Sequence, residues 1–246
     1  MGLDLSWKSY GDYHDFHKIL IFVSGNVSYI VEGRQYDLQP FDTILIQAGE
    51  IHKPVIHSRI PYERIILYVS PRFFDDYRES STDLFYCFDQ SRRQQSNLIR
   101  IADITATKLH PAIYSLSQSL EQHTYGTELY QRVKLIEYLI LLNRTVIDEN
   151  LEYTTAITAN STVLNIMKYI NSHLTNELSI DIIANNMYLN RSYIMHLFKE
   201  ETGYTIGRYI TEKRLFLAKH YIQEGIPVTQ ACYQSGFRNY SAFYHA

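Results

Sequence analysis

Two stretches of similar plan decide the fold: LSIDIIANNMYLNRSYIMHLFKEETG at residues 178–203 and IPVTQACYQSGFRNYSAFYHA at residues 226–246. Each predicts a short helix, a turn and a second helix, which is the arrangement of a helix-turn-helix unit. Ala184 and Ala231 occupy matching places, where a small side chain lets two helices cross closely. One such unit alone is also compatible with a helical hairpin in a core. Two units joined by a long helix, over residues 207–223, favour helix-turn-helix function instead.

The front of the chain has a different pattern, in which apolar residues alternate or form short β-branched runs between turn residues. This pattern is typical of short strands. Six of them in succession predict an all-β sandwich or barrel. Residues 80–106 are mixed and polar and carry no clear period. The six predicted strands cover residues 16–24, 27–32, 35–38, 43–47, 51–57 and 63–70.

Helical periodicity begins after Pro111 and predicts two helices, the second over residues 127–147. Because the second helix has two apolar stripes, it needs two partners. Either one stripe covers the barrel while the other pairs with the same helix of a second subunit, or both are buried within one chain. The covering stripe is Leu135, Leu139, Leu142 and Val146, and the expected dimerisation stripe is Val133, Ile136, Ile140, Asn143 and Ile147.

The composition is that of a globular chain, with 46% hydrophobic and 20% charged residues. The formal net charge of -3 is an average over two unlike halves. Residues 151–246 carry 8 Lys+Arg against 7 Asp+Glu, whereas residues 1–150 carry 15 against 19. The helical half is therefore the more basic, although a strong electrostatic grip on nucleic acid requires more positive charge.

Several classes of protein are disfavoured by what the sequence contains. Cys87 and Cys232 lie far apart without C-x-x-C spacing, which argues against a disulfide framework or structural zinc and fits a reducing compartment. The apolar runs are far shorter than the roughly 20 residues of a membrane span, and residues 1–8 lack a secretory signal pattern. Catalytic triad and nucleotide-binding motifs are not evident. We expect a cytoplasmic protein that is not an enzyme and needs no cofactor.

The helical half resembles the AraC/XylS family of bacterial transcription regulators. The runs LFKEETGYTIGRYITEKRLFLAKHYI (197–222) and PVTQACYQSGFRNYSAFYHA (227–246) are similar to that family's connecting helix and second helix-turn-helix unit. The run GNVSYIVEGRQYDLQPFDTILIQAGEIHKP (25–54) is similar to its cupin-like effector domain, which often reads P-G-D and G-E-x-H at these places. The resemblance covers nearly the whole chain.

Three departures from the family pattern affect what the resemblance implies. Phe41 stands where the family usually has Gly, so we expect the turn before Thr43 to be rebuilt. Gln230 and Cys232 replace the usual acidic residue and its aliphatic neighbour in the second unit. The sequence stops at Ala246, within the second recognition helix, where the family typically continues, so we expect its final residues to be missing.

The predicted fold class is α+β multidomain: an N-terminal cupin-like β-barrel with a helical dimerisation segment, then a C-terminal all-α double helix-turn-helix domain. Residues 1–110 are expected to form the effector-binding barrel, and residues 111–147 the helical dimerisation or packing segment. Residues 148–161 are polar and small without a period, and are expected to be a linker. Residues 162–246 are expected to form the DNA-binding domain.

Reading DNA requires side chains that reach base edges while others hold phosphates. Arg191 and Arg238 are the best candidates for guanine or phosphate contacts, because a guanidinium presents two parallel donors. Any one of the candidates is also compatible with ordinary surface. The full expected set is Arg191, Ser192, Met195, His196 and Lys199 in the first unit and Arg238, Asn239, Tyr240, Ser241, Tyr244 and His245 in the second.

The barrel is expected to bind a small molecule, since a sugar site needs aromatic faces and a few fixed polar donors. The expected effector-binding residues are His14, Ser24, Tyr29, His52, Arg64 and Ile66. A fatty acid is the alternative ligand, and Arg64 or Lys18 would meet its carboxylate. The histidines His14, His17, His52 and His57 also invite a metal site. We expect none, because His14 and His17 point to opposite faces of a strand.

Together these features predict a sequence-specific regulator of transcription, controlled by a small-molecule effector that we expect to be a carbohydrate. Its expected partners are double-stranded promoter DNA, the effector, a second copy of the chain and, if it activates, RNA polymerase. No membrane partner is expected. The alternatives are a regulator that senses a fatty acid, one that is controlled without a small ligand, and a metal-dependent cupin enzyme.

Overall fold

All six strands predicted in the front half form in the computed structural model, which describes residues 16–79, 82–122, 124–148 and 153–246. The sequence predicted them because each strand buries one or both faces, which places apolar residues at alternate positions or in short runs. They are β1 (His17–Ser24), β2 (Val27–Val31), β3 (Arg34–Asp37), β4 (Thr43–Ile46), β5 (His52–Ile56) and β6 (Glu63–Val69).

The region without a clear period contains only short elements. They are α1 (Pro71–Asp75), β7 (Arg78–Glu79), β8 (Thr82–Asp83), α2 (Tyr86–Gln94), β9 (Leu98–Ile99) and a 3-10 turn at Ile104–Ala106. Elements of two to nine residues are too short to impose a period on the sequence.

The rest of the described chain is helical apart from one short strand. No helix in this described part is long and apolar enough to cross a membrane. The elements are α3 (Leu109–Glu121), α4 (Thr127–Asp148), β10 (Thr158–Ala159), α5 (Ser161–Ser172), α6 (Ile180–Met187), α7 (Arg191–Thr202), α8 (Ile206–Gln223), α9 (Val228–Gln234) and α10 (Tyr240–Tyr244).

Two four-stranded antiparallel sheets build the barrel, in the orders β6-β1-β4-β9 and β10-β3-β2-β5. Side chains of β1 alternate between two buried environments. Leu20 and Phe22 pack between the two sheets with Tyr29 and other core residues. Ile19 and Ile21 face the opposite way, into a second core shared with the helices. The first sheet therefore has the barrel interior, which we call the chamber, on one face and a helical layer on the other.

Helices α2, α3 and α4 form that helical layer. Tyr138 of α4 is fully buried, and its hydroxyl lies 3.0 Å from the Thr43 hydroxyl of β4. Asn143 is also buried, so its expected place in a dimerisation stripe is wrong. Its Oδ1 accepts from the Cys87 N–H, and its Nδ2 donates to the Leu84 carbonyl. A buried amide must have hydrogen-bond partners. Asn143 has them at the start of α2 in its own chain.

The stretch expected to be a linker, residues 148–161, is partly built into the barrel. Of its described residues, Thr154 pairs with Leu98, and β10 extends the second sheet by pairing with β3. With only two residues, β10 is too short to show a period in the sequence. The second sheet therefore leads directly into α5, whose first N–H groups are capped by Asn160.

Phe41 keeps a turn before β4 although it stands in place of glycine. Its φ of 69° lies in the left-handed region that glycine favours. The Phe41 N–H donates to the Phe22 carbonyl, and its ring packs 4.9 Å from the ring of His110. Contact with α3 therefore compensates for a strained backbone conformation.

The C-terminal half contains both predicted helix-turn-helix units, α6–α7 and α9–α10, joined by α8. Arg214 fixes the connecting helix α8 to the loop before α6, because its guanidinium donates to the carbonyls of Leu174 and Asn176. Gly236, in the turn of the second unit, lies against the same loop. A β-carbon there would lie 2.6 Å from the Leu174 oxygen, so only glycine fits.

Candidate DNA-binding surface and effector chamber

The helix α7 presents the first set of expected DNA-contacting residues to solvent. Asn190 fixes the start of the helix, because its Oδ1 accepts from the N–H groups of Ser192 and Tyr193. Ile194 and Phe198 are fully buried and orient the helix on its core. The residues on the opposite face, Arg191, Ser192, Met195, His196 and Lys199, are all exposed.

Arg191 forms an ion pair with Asp181 on α6, at 2.6 Å between Nη1 and Oδ2. Both side chains are more than half exposed. Exposed ion pairs contribute little to stability, typically about 0–1 kcal/mol. The arginine therefore can exchange this carboxylate for a phosphate or a base edge at small cost.

The second unit presents its expected residues in the same way. Arg238, Asn239, Tyr240, Ser241, Tyr244 and His245 are all exposed. Asn239 has a structural task as well, because its Oδ1 accepts from the Ala242 N–H and caps α10. The cap directs that oxygen toward the backbone of its own helix. Arg238 forms an ion pair with Glu177, which precedes α6 in the first unit.

Two exposed tyrosines near the first recognition helix were not assigned from the sequence. Tyr188 is 96% exposed and occupies the turn between α6 and α7 with a φ of 55°. Tyr193 lies on α7 and is 52% exposed. The sequence offered one signal for Tyr188, namely its place in the turn of the first unit. The turn of the second unit has Gly236, which also has a positive φ. A bulky residue in that conformation is uncommon and is enriched at functional sites.

A polar cluster lies inside the barrel between the two sheets. Lys18 of β1 is 4% exposed, and its Nζ lies 2.9 Å from His52 Nε2 and 3.2 Å from the Tyr29 hydroxyl. The ring of Tyr68, on the neighbouring edge strand β6, lies 6.0 Å from the same Nζ. Phe16 packs against Tyr68 at 4.7 Å. The cluster combines hydrogen-bonding groups with aromatic faces, as small-molecule sites commonly do.

Two of the expected effector residues, Tyr29 and His52, thus meet, and Lys18 lies at the centre of the cluster. Ile66 and Arg64 follow Tyr68 along the same face of β6, opposite Leu20 and Phe22 of β1. Arg64 is four residues from Tyr68, about 13 Å away along the strand. Its guanidinium stacks on the Tyr62 ring at 4.2 Å. Arg64 therefore belongs to the rim of the chamber rather than to the polar cluster.

The remaining expected residues do not join the cluster. Ser24 lies at the end of β1, where its hydroxyl donates to Glu63 in an exposed position. His14 lies outside the described residues. His17 faces the helical layer, where its ring packs on Phe85 and its Nδ1 accepts from the Ala48 N–H. His57 is exposed and lies beside Ser28 on the outer side of the second sheet. Among the described residues, no three His, Cys, Asp or Glu side chains are grouped to hold a metal.

Glu50 lies beside this cluster, in the turn before β5. Its Oε2 accepts from the Gln47 N–H at 2.7 Å and from Asn97 Nδ2 at 3.2 Å. Burial, together with the nearby charge of Glu32, raises the pKa of Glu50 to about 7, although the Gln47 N–H and Lys213 oppose the shift. The protein therefore favours the protonated form of this carboxyl group.

The outer face of α4 carries most of the expected dimerisation stripe. Val133 and Ile147 are 50% and 55% exposed, and Ile136 and Ile140 are half-buried. Together with α3 these residues border a surface groove of about 740 Å³. The groove is lined by Lys108, Pro111, Ala112, Ser115, Val133, Lys134, Ile136, Glu137, Ile140, Leu141 and Arg144.

The two halves of the chain match two different family models. Residues 10–128 match the AraC-like ligand binding domain, and residues 183–246 match a helix-turn-helix domain. The HTH-type transcriptional activator RhaS of Escherichia coli is 23% identical over 240 residues, which cover 94% of this chain and 80% of that protein. RhaS of Shigella sonnei is 22% identical with the same coverage. These relatives are transcription activators rather than enzymes.

Solved structures with partial likeness include two regulators. Unsaturated-fatty-acid-bound ToxT from Vibrio cholerae has a TM-score of 0.38 and 16% identity, with 95% of this chain and 82% of that chain covered. The AraC-like transcriptional activator CuxR also has a TM-score of 0.38 and 16% identity, with 85% and 69% covered.

The pKa of Glu50 predicts a pH-dependent stability. Folding favours protonated Glu50, so this contribution is fully present below the ordinary pKa of 4.5 and is lost as the pH rises through about 7. The variant Glu50→Gln is neutral throughout. We therefore expect its melting temperature to rise relative to the parent protein between pH 5 and pH 8, as measured by thermal denaturation.

The matched control is Glu63→Gln, which neutralises an exposed carboxylate of the same barrel. Its difference from the parent is expected to stay flat over the same pH range. An equally flat difference for Glu50→Gln would show that Glu50 is ionised in the folded protein.

Proposed function

Because this chain belongs to the AraC family of DNA-binding transcription regulators and has an AraC-like ligand-binding domain, we propose that it regulates transcription in response to a small carbohydrate bound inside the barrel. The observation that carries the regulatory part is the pair of helix-turn-helix units held together by α8. Their exposed helices, α7 and α10, place one arginine each at the start of a recognition helix. Two such units suit adjacent major grooves of one duplex.

The recognition step follows from the ion pairs of the free protein. Arg191 and Arg238 are held by Asp181 and Glu177, so their guanidinium groups are oriented before DNA arrives. Phosphates replace these carboxylates on binding, or the guanidinium turns to a guanine edge. Ser192, Lys199 and His196 contact the backbone on either side of Arg191. RNA polymerase is a further partner if the protein activates, and the cytoplasm is where it meets its DNA.

The effector step takes place at the cluster of Lys18, Tyr29 and His52. Sugar hydroxyls both donate and accept, which suits an ammonium, an imidazole and a phenol within one chamber. The ring of Tyr68 supplies an aromatic face for the apolar side of a sugar. The runner-up ligand is a fatty acid, because the ammonium of Lys18 would meet its carboxylate.

We also propose that the chain dimerises through the groove between α3 and α4. Val133, Ile136 and Ile140 border the groove and remain partly exposed in one chain. A second α4 packed there would bury these apolar side chains. The dimer would then carry two DNA-binding domains with four helix-turn-helix units. Because the units are linked in one complex, their combined affinity for four half-sites exceeds that of one domain.

Arg191→Ala and Arg238→Ala are each expected to weaken specific DNA binding by about 1–3 kcal/mol, because each removes a two-point donor. The DNA to use is the sequence that the parent protein selects from a random pool, with affinity measured by fluorescence anisotropy. Arg93→Ala removes an exposed arginine from the barrel half and serves as the charge-matched control. Unchanged affinity in both recognition variants would disprove the assignment.

A thermal-shift screen of sugars and fatty acids on the full chain tests the effector. A bound sugar at about 100 times its Kd is expected to raise the melting temperature by about 5–10 °C. The shift is expected to vanish in His52→Leu and to persist in His57→Leu, whose histidine lies outside the chamber. Shifts with fatty acids alone would favour the runner-up ligand, and no shift at all would favour control without a small ligand.

Val133→Glu tests the dimer by placing a charge in the groove at a position that is exposed in a single chain. We expect the variant to sediment as a monomer at micromolar concentration while the parent sediments as a dimer. Ile60→Glu, at an exposed apolar residue of the barrel, is the control and is expected to sediment like the parent. A dimeric Val133→Glu protein would place the dimer interface elsewhere.

A further inference from the structure

Five consecutive residues between the two domains alternate in what they contact. We call residues 49–53 the coupling strand; it covers the end of the turn before β5 and the first two residues of β5. Gly49, Ile51 and Lys53 contact the DNA-binding half. Glu50 and His52 contact the interior of the barrel. Along residues 50–53 this division follows from the alternation of side chains that leads into β5. Gly49 lies in the turn with a φ of 82° and contributes its backbone carbonyl instead.

The contacts on the DNA-binding side reach four helices, α5 to α8. The Gly49 carbonyl accepts from Lys213 Nζ of α8 at 2.6 Å. The side chain of Ile51 is buried in the core of the first helix-turn-helix unit, together with residues of α5, α6 and α7. Lys53 Nζ donates to the Glu200 carbonyl in the last turn of α7 at 3.3 Å. The coupling strand therefore touches the recognition helix itself.

The barrel side of the same strand is part of the effector chamber. His52 lies 2.9 Å from Lys18 Nζ, and its ring is stacked with the Tyr29 ring. Glu50 bonds Asn97, whose N–H donates to the Tyr36 hydroxyl in the barrel core. A ligand that moves the His52 ring must therefore displace either the backbone of the coupling strand or the Lys18 contact.

A carboxylate holds the coupling strand and α8 together. Glu32 Oε1 accepts from the Ile51 N–H and from Lys213 Nζ, each at 2.9 Å, and its Oε2 accepts from the Tyr209 hydroxyl at 2.7 Å. Glu32 has a φ of 45°, an uncommon conformation for a residue other than glycine. We call Glu32, Lys213 and Tyr209 the latch.

The latch is polar although it is almost enclosed, with the Glu32 and Lys213 side chains only 11% and 14% exposed. Burying an ion pair carries a desolvation penalty that offsets much of its attraction. A domain contact closed by such a pair opens more easily than one closed by apolar packing of the same area. The interface thus combines the apolar burial of Ile51 with an ion pair whose two partners regain hydration when the contact opens.

We propose that the coupling strand transmits occupancy of the chamber to the first helix-turn-helix unit, and that the latch sets how tightly the barrel holds that unit. This deepens the proposed function, because it assumes that the effector binds beside His52. Ligand contact with His52 shifts the strand, and Ile51 and Lys53 on its other side shift with it. The latch then opens or closes around α8, which changes how α7 is presented to DNA.

Hydrogen–deuterium exchange of the full chain, without DNA or effector, tests the coupling in both directions. His52→Gln, on the chamber side, is expected to speed exchange in the Tyr209–Lys213 part of α8 at least threefold. Lys213→Met, on the DNA-binding side, is expected to speed exchange at Glu50 and His52 at least tenfold. The decisive arm is His52→Gln, since His52 does not belong to the latch.

Two matched variants control for general loosening. His17→Gln changes another buried histidine of β1's sheet, one that faces the helical layer, and Lys219→Met changes another lysine of α8. We expect His17→Gln to leave exchange in the Tyr209–Lys213 part of α8 unchanged, and Lys219→Met to leave exchange at Glu50 and His52 unchanged. Effects of His52→Gln that stay within the barrel, or an equal effect of His17→Gln on α8, would overturn the proposal. DNA binding by the parent protein is measured in a separate experiment. If the parent binds no specific DNA while the variants change exchange as expected, only the proposed function is overturned.

Discussion

Burial of β1 on both faces is the constraint on which the rest of the barrel half depends. Because side chains of a strand alternate, one face of β1 must complete a chamber and the other must support helices. Lys18 is placed by the same rule, on the face of Leu20 and Phe22. The helical layer then leaves α4 with an outer face that the described residues 16–79, 82–122, 124–148 and 153–246 do not cover.

The same alternation operates a second time where the two domains meet. Along residues 50–53 it separates contacts with the DNA-binding half from contacts with the chamber. Glu32 adds a charge to that contact, and its carboxylate accepts hydrogen bonds from residues of both domains. A buried carboxylate with three donors is well solvated by the protein, so the polar contact is compatible with a packed interface.

Capping fixes where each recognition helix begins. Asn190 and Asn239 each accept N–H groups at a helix start, which fixes the face that each short helix presents. This local chemistry was readable from the sequence, as were the six strands and the two helix-turn-helix units. The pairing of β10 with β3 was not, because a strand of two residues is too short to show a period. Asn143 was misassigned because a helical stripe specifies a face and not the neighbour that covers it.

The sequence by itself determined the order of the domains, the period of each element, the exposed faces of α7 and α10, and the family. The family follows from motifs that the sequence shares with it, and the other features depend on local rules, namely alternation, helical spacing and capping. Only the tertiary structure decided that Lys18, Tyr29 and His52 meet, that Arg64 stays at the rim, and that Glu32 joins Lys213 across 181 positions of sequence. Contacts of that kind depend on how sheets and helices pack, and packing is decided by the whole chain at once.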